Sequence, residues 1–103
     1  MAAILERDFQ PIVIKKLKEI FPDCLILKND PTYIQGIPDL SVFFKDKWAM
    51  LEVKKSKDEP FRPNQDFYLM HAESMSFARV IFPENMEQVF SDLKKFFDGG
   101  DAR

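Results

Sequence analysis

Apolar residues along the chain fall into two kinds of pattern. Leu5, Phe9, Ile12, Val13, Leu17 and Ile20 are spaced by threes and fours, which predicts a helix over residues 3–20 with one apolar stripe. Pro11 falls inside that pattern, so it either kinks the helix or lies in its first turn with Asp8 as the N-cap. Pro22 and Asp23 end it. Residues 24–28 predict a short strand, with Cys24 as a buried thiol within it, and Asn29-Asp30-Pro31-Thr32 is turn chemistry. Leu40 to Phe44 and Trp48 to Lys55 predict two strands joined by a tight turn at Lys45-Asp46-Lys47, a hairpin. Residues 56–63 form a polar loop with Pro60 and Pro63. A helix then runs from Asn64 to Ser76, with Phe67, Tyr68, Leu69 and Met70 on more than one face. Ala78 to Phe82 predicts a fourth strand. Pro83 opens a last helix whose stripe is Met86, Val89, Phe90, Leu93, Phe96 and Phe97, core for the most part or else partly a dimer face; Gly99-Gly100 ends it.

The predicted order is α-β-β-β-α-β followed by a C-terminal helix. A three-stranded meander, a crossover helix and a returning strand make an α/β fold with a mixed sheet flanked by helices. A length of 103 residues predicts one domain, here residues 1–98, with 99–103 as a frayed tail. At 46% hydrophobic residues and eleven Phe, the chain has enough apolar material for one modest core and some to spare for a partner.

The strand Leu51-Glu52-Val53-Lys54 carries the chemistry. A side-chain period of two sets Glu52 and Lys54 on one face and Leu51 and Val53 on the other. An acid beside a lysine on a central strand requires a use. Twelve residues earlier, Gly36-Ile37-Pro38-Asp39 places a second carboxylate at the start of the preceding strand. Pro38 fixes its own φ and keeps Ile37 extended, and Gly36 permits a turn that other residues make poorly. Two hard oxygen ligands beside a lysine are suited to holding a divalent cation and a water for phosphodiester hydrolysis.

Pro38-Asp39 followed by Glu52-Val53-Lys54 resembles the PD-(D/E)XK nuclease superfamily. Gly36-Ile37-Pro38-Asp39-Leu40 together with Pro63-Asn64-Gln65 is similar to its virus-type replication-repair nuclease (VRR-NUC) branch, and the resemblance covers roughly residues 3–82. It implies a restriction-endonuclease-like core. It also implies that Asp39 and Glu52 ligate Mg²⁺, with Mn²⁺ possible, and that Val53 contributes its backbone carbonyl. Lys54 would orient or help deprotonate the attacking water, or stabilise charge in the transition state. Glu6 resembles the N-terminal helix glutamate that adds a metal ligand in many members. Gln65 matches a helix glutamine that contacts the site lysine, water or DNA backbone. Small members of the branch often act as homodimers on branched DNA such as Holliday junctions, and the short chain points to a phage or prophage source.

Charge and composition refine this expectation. A net charge of −2 excludes a strongly basic, generic nucleic-acid coat protein but not a nuclease, whose ligand carboxylates are offset by the cation. Lys54-Lys55-Ser56-Lys57 and Arg62 form a positive run directly after the site, where Lys55, Lys57 and Arg62 could meet phosphates; Lys15, Lys16 and Lys18 form another. Cys24 is the single cysteine and His71 the single histidine, so zinc is not expected. Charged residues follow Met1-Ala2-Ala3-Ile4-Leu5 at once, so neither a signal peptide nor a membrane span is expected, and the protein is placed in the cytoplasm. Nucleases of flap, nicking or restriction specificity would share these residues. A silent DNA-binding module would bind without cutting.

Overall fold

The computed structural model describes residues 5–100; the Glu6 side chain, residues 1–4 and residues 101–103 lie outside the description. The elements are α1 (Glu6–Ile20), β1 (Leu25–Lys28), β2 (Leu40–Phe44), β3 (Lys47–Val53), α2 (Gln65–Met75), β4 (Phe77–Ile81) and α3 (Met86–Phe97). The strands lie in the order β1-β2-β3-β4. The first two pairings are antiparallel and β3–β4 is parallel, with α2 as the crossover. The structure is therefore the mixed four-stranded α/β fold that the periodicities predict. Among the described residues, no helix is long and apolar enough to cross a membrane.

One face of the sheet carries the core. Leu40, Val42, Ala49, Leu51, Val53, Phe77 and Ile81 are buried there against α1 and α3. On α1 the buried positions are Phe9, Val13 and Leu17, continued by Phe21, a strict spacing of four; Leu5 and Ile12 from the predicted stripe are exposed. Nearly all the α3 stripe is buried in the core, with Met86 half-buried against it. Phe21, at the end of α1, meets Phe97 edge-on at 5.1 Å and Phe44 at 5.4 Å. These rings join the helices to the hairpin end of the sheet.

Helix α2 lies on the other face over β3 and β4, where the small residues Ala72 and Ala78 let it approach closely. Its expected apolar residues pack poorly: Phe67 and Met70 are exposed. No described helix covers this face over β1 and β2, and Leu25, Leu27 and Phe43 are exposed there.

Several boundaries differ from expectation for local reasons. Helix α1 begins after Leu5, whose carbonyl accepts from the Asp8 and Phe9 N–H groups, so Asp8 is inside the helix and is not its N-cap. Pro11 lies in the helix interior and deprives the Arg7 carbonyl of its usual donor. Cys24 is half-buried just before β1, not within it. Helix α3 begins three residues after Pro83, because the Asn85 side chain binds the Phe82 N–H at 2.8 Å and the Val80 carbonyl at 3.0 Å. Gly99 (φ 105°) and Gly100 close α3 by donating to Phe96 and Lys95, a Schellman arrangement that orders the first two residues of the expected tail.

Phe97→Ala is expected to destabilise the fold by about 3–5 kcal/mol and Phe67→Ala by no more than about 0.5 kcal/mol, read from urea unfolding midpoints. Equal losses would contradict the division between a packed and an open face.

Candidate active site at the end of strand β3

The site begins with register. Leu40 pairs with Leu51 across β2 and β3, so one step further Asp39 lies opposite Glu52. The two residues then bind each other's strands. The Val53 N–H donates to Asp39 Oδ2 at 2.8 Å, and the Asp39 N–H donates to Glu52 Oε1 at 3.2 Å. Because β3 is an inner strand, Glu52 is only 1% exposed and Lys54 only 2%. Glu52 and Lys54 are thus buried neighbours, not an exposed edge pair.

Asn29 holds the Pro38-Asp39 segment in place. Its backbone N–H donates to the Asp39 carbonyl at 2.8 Å. Its side-chain amide donates to the Pro38 carbonyl at 2.8 Å and to Ser41 Oγ at 2.9 Å, and its Oδ1 accepts from Ser41 at 3.1 Å. Gly36 supplies a second constraint. Its φ is +91°, and a Cβ there would lie 2.6 Å from the backbone carbon of Asn64 and 2.7 Å from its Cβ. Asn64, itself left-handed at φ 68°, precedes α2, so the close approach seats the start of that helix beside the Asp39 loop.

The start of α2 brings Gln65 to the lysine. Gln65 Oε1 accepts from Lys54 Nζ at 2.7 Å and from the Arg62 N–H at 2.7 Å. Lys54 Nζ also donates to the Pro60 carbonyl at 3.3 Å. It lies 3.5 Å from Glu59 Oε2, 3.6 Å from Glu52 Oε2 and 5.6 Å from the centre of the Phe61 ring. Glu59 Oε1 in turn accepts from the Lys55 N–H at 2.9 Å. The amino group is therefore fixed from several sides, with Glu59 supplying a second carboxylate for its charge.

Glu52 is the electrostatically costly member. Burial, then repulsion by Asp39, push its carboxyl from 4.5 up to about 8, and Lys54 offsets only part of this. The opposing effects are consistent with the distances, because the ammonium is 3.6 Å away and makes no hydrogen bond to Glu52. Glu52 Oε2 is buried without a hydrogen-bond partner among the described residues. An orphaned carboxylate oxygen beside a second carboxylate suits a cation. No group of three or more His, Cys, Asp or Glu side chains suited to a metal is assembled among the described residues. The donor set, two carboxylates and backbone oxygen, matches the sparse protein ligation of Mg²⁺, which keeps water and substrate oxygens for its other positions.

The structure thus brings Asp39, Glu52, Lys54 and Gln65 together, with the Val53 side chain turned into the core. Lys55, Lys57 and Arg62 are exposed; Arg62 lines the same cleft as Asp39, Gly36 and Gln65, and Lys55 shares an adjoining depression with Arg62. The proposed role of Glu6 depends on a side chain outside the described residues. His71 lies on the exposed side of α2, stacked on Phe67 at 6.0 Å. Asn29, Glu59 and Phe61 were not anticipated from sequence. Asn29 reads there as turn chemistry and Glu59 as part of a polar loop, and neither carries a periodic signal. Compared with family models, curated proteins and solved structures, the chain matches none.

Glu52 predicts a pH dependence. Its carboxyl binds a proton more tightly when folded than when unfolded, so its stabilising contribution is complete below about pH 4.5 and is lost as pH rises through about 8. In EDTA, the urea midpoint of the unmodified protein is expected to fall relative to Glu52→Gln between about pH 5 and 9. Mg²⁺ or Mn²⁺ should raise the midpoint of the unmodified protein most at the alkaline end and leave that of Glu52→Gln unmoved. A midpoint that rises with pH relative to Glu52→Gln would mean that Lys54 outweighs burial. Gly36→Ala is expected to cost about 1–3 kcal/mol in the same assay, because it combines a positive φ with a clash against Asn64.

Proposed function

We propose that the protein is a metal-dependent DNA endonuclease of the PD-(D/E)XK type, in its VRR-NUC branch, with a restriction-endonuclease-like core. The observation that carries this reading is the buried Glu52 Oε2, which has no hydrogen-bond donor and lies 3.6 Å from Lys54 Nζ on the strand end that Asp39 also binds. Asp39, Glu52 and the Val53 carbonyl would hold the cation, and Mg²⁺ or Mn²⁺ there would supply Lewis-acid stabilisation of a phosphodiester oxygen and a water of lowered pKa. Lys54 sits beside these oxygens and would orient or help deprotonate the attacking water, or stabilise charge in the transition state. Gln65 fixes Nζ, so the lysine loses little freedom when substrate binds. Arg62 at the cleft, with Lys55 and Lys57 on the segment that leads to it, would serve as phosphate contacts.

Branched DNA, with Holliday junctions as the specific case, suits a small chain that would recognise shape through phosphates, its described elements offering no groove-reading module. Cutting two symmetry-related strands requires two sites, which a two-fold dimer supplies. The uncovered sheet face at Leu25, Leu27 and Phe43 is an apolar surface suited to a second copy. A binding module without activity is the competing reading; it draws on the fact that no group of three or more His, Cys, Asp or Glu side chains suited to a metal is assembled among the described residues.

The test is cleavage of a labelled four-way junction and of linear duplexes with the same arm sequences, in Mg²⁺, Mn²⁺ or EDTA. Paired, metal-dependent cuts near the branch are expected, with Lys54→Ala and Asp39→Asn each reducing the rate by about 100-fold or more. Equal cutting of linear duplex would keep the active site but remove the junction preference. Binding without cutting in either metal would transfer the assignment to the binding module. Phe43→Glu is expected to convert a dimer to a monomer in sedimentation equilibrium. An unmodified protein that sediments as a monomer at micromolar concentration would remove the dimer.

A further inference from the structure

Beside the Asp39 cleft lies a second depression, of about 480 Å³, lined by Arg7, Gln10, Pro11, Lys28 and Arg62. Its three cations come from separate parts of the chain: the first turn of α1, the last residue of β1 and the loop before α2. All three are exposed, and none forms an ion pair among the described residues. No acidic side chain is among its described lining residues. Lys15, Lys16 and Lys57 are also exposed without an ion pair among the described residues, but what sets Arg7, Lys28 and Arg62 apart is that they converge on one depression. Convergent unpaired cations repel one another at modest cost in water, and an anion seated between them reverses the sign. Gln10, half-buried on the next turn of α1, adds an amide donor.

Arg62 connects this depression to the candidate active site, because it also lines the cleft with Asp39 and Gln65. A third depression, lined by Leu5, Arg7, Lys55, Glu59 and Arg62, continues the surface toward Lys55. Arg7 and Arg62 therefore belong to both outer depressions. We propose that Arg7, Lys28 and Arg62 form a phosphate subsite that holds a backbone phosphate of the DNA strand flanking the one cut at Asp39 and Glu52. The choice of DNA as ligand rests on the nuclease reading; the convergence of cations does not. The subsite extends the contacts expected from the sequence, Lys55, Lys57 and Arg62, by two residues that lie far from them in the chain. It also gives the strand a direction across the protein, from the Asp39 cleft toward α1.

The test measures binding without cleavage. Fluorescence anisotropy of a labelled duplex and a labelled four-way junction is recorded in EDTA across a salt series. Each phosphate contact contributes about 0.9 to the slope of log affinity against log salt. Arg7→Ala and Lys28→Ala are expected each to lower that slope by about 1, and the double variant to bind about 10- to 100-fold more weakly at about 100 mM salt. Lys95→Ala, on the exposed side of α3, should match the unmodified protein. Both subsite residues are exposed, so the variants should keep the unmodified urea midpoint. A double variant with unchanged affinity and slope overturns the subsite, as does an unmodified protein that binds neither probe. If the protein cuts DNA while the double variant binds normally, the subsite alone fails. If the protein binds with the expected slope change yet cuts nothing, the subsite stands and the nuclease reading fails.

Discussion

A carboxyl and an amino group, Glu52 and Lys54, are held out of water at the end of an inner strand, and much of the surrounding structure serves to make that tolerable. Removing ionised groups from water costs several kcal/mol each unless they are paired and hydrogen-bonded. Lys54 is well provided for, with Gln65 at 2.7 Å, Pro60 at 3.3 Å and Glu59 at 3.5 Å. Glu52 is not, and one of its oxygens has no donor. A chain selected only for stability would replace such a group with an apolar residue. The asymmetry therefore locates a cost that folding alone does not explain; below about pH 8 a proton relieves it, and in the proposed reading a cation would do so above that.

The site has two parts that differ in how they are held. Pairing of β2 with β3 places Asp39 opposite Glu52, and the reciprocal backbone hydrogen bonds lock the two carboxyl groups to each other's strands. The segment from Glu59 to Gln65 covers Lys54 from the other side, with Gly36 allowing Asn64 to approach. Carboxylates come from the sheet and the lysine's partners come from a loop. The first set is as rigid as the core. The second depends on a few hydrogen bonds and one close backbone contact.

Much of this was legible in the sequence, and the reason is periodicity. Alternation in Leu51-Glu52-Val53-Lys54 determines which side chains share a face, and the spacing of threes and fours locates α1 and α3, so most elements and the neighbourhood of Glu52 and Lys54 could be anticipated. What was not legible acts through single contacts. Asn29 binds Pro38, Asp39 and Ser41 from a turn whose sequence predicts only a turn. Glu59 meets Lys54 from a loop without regular pattern. The Asn85 side chain delays the start of α3 beyond Pro83. On α2 the apolar residues lie on more than one face and give no single stripe; Phe67 and Met70 are exposed, while Ala72 and Ala78 pack between helix and sheet, where small side chains let the backbones come close.

The two-sided character of the sheet bears on how such a small domain could combine stability with reactivity. Phenylalanines of α1, β4 and α3 fill one face, and that face contains almost the whole buried apolar cluster. The loop that seats Lys54 belongs to the other side and contributes nothing to that cluster. Opening residues 55–64 would therefore release the lysine's partners and expose Glu52 without breaking the β2–β3 register or the core. A substrate phosphate that contacts Lys55 and Arg62 would act on the same segment, since the Arg62 N–H shares Gln65 Oε1 with Lys54. In that reading, binding and the ordering of the lysine would be coupled through one glutamine oxygen, because Gln65 Oε1 accepts from both Lys54 Nζ and the Arg62 N–H.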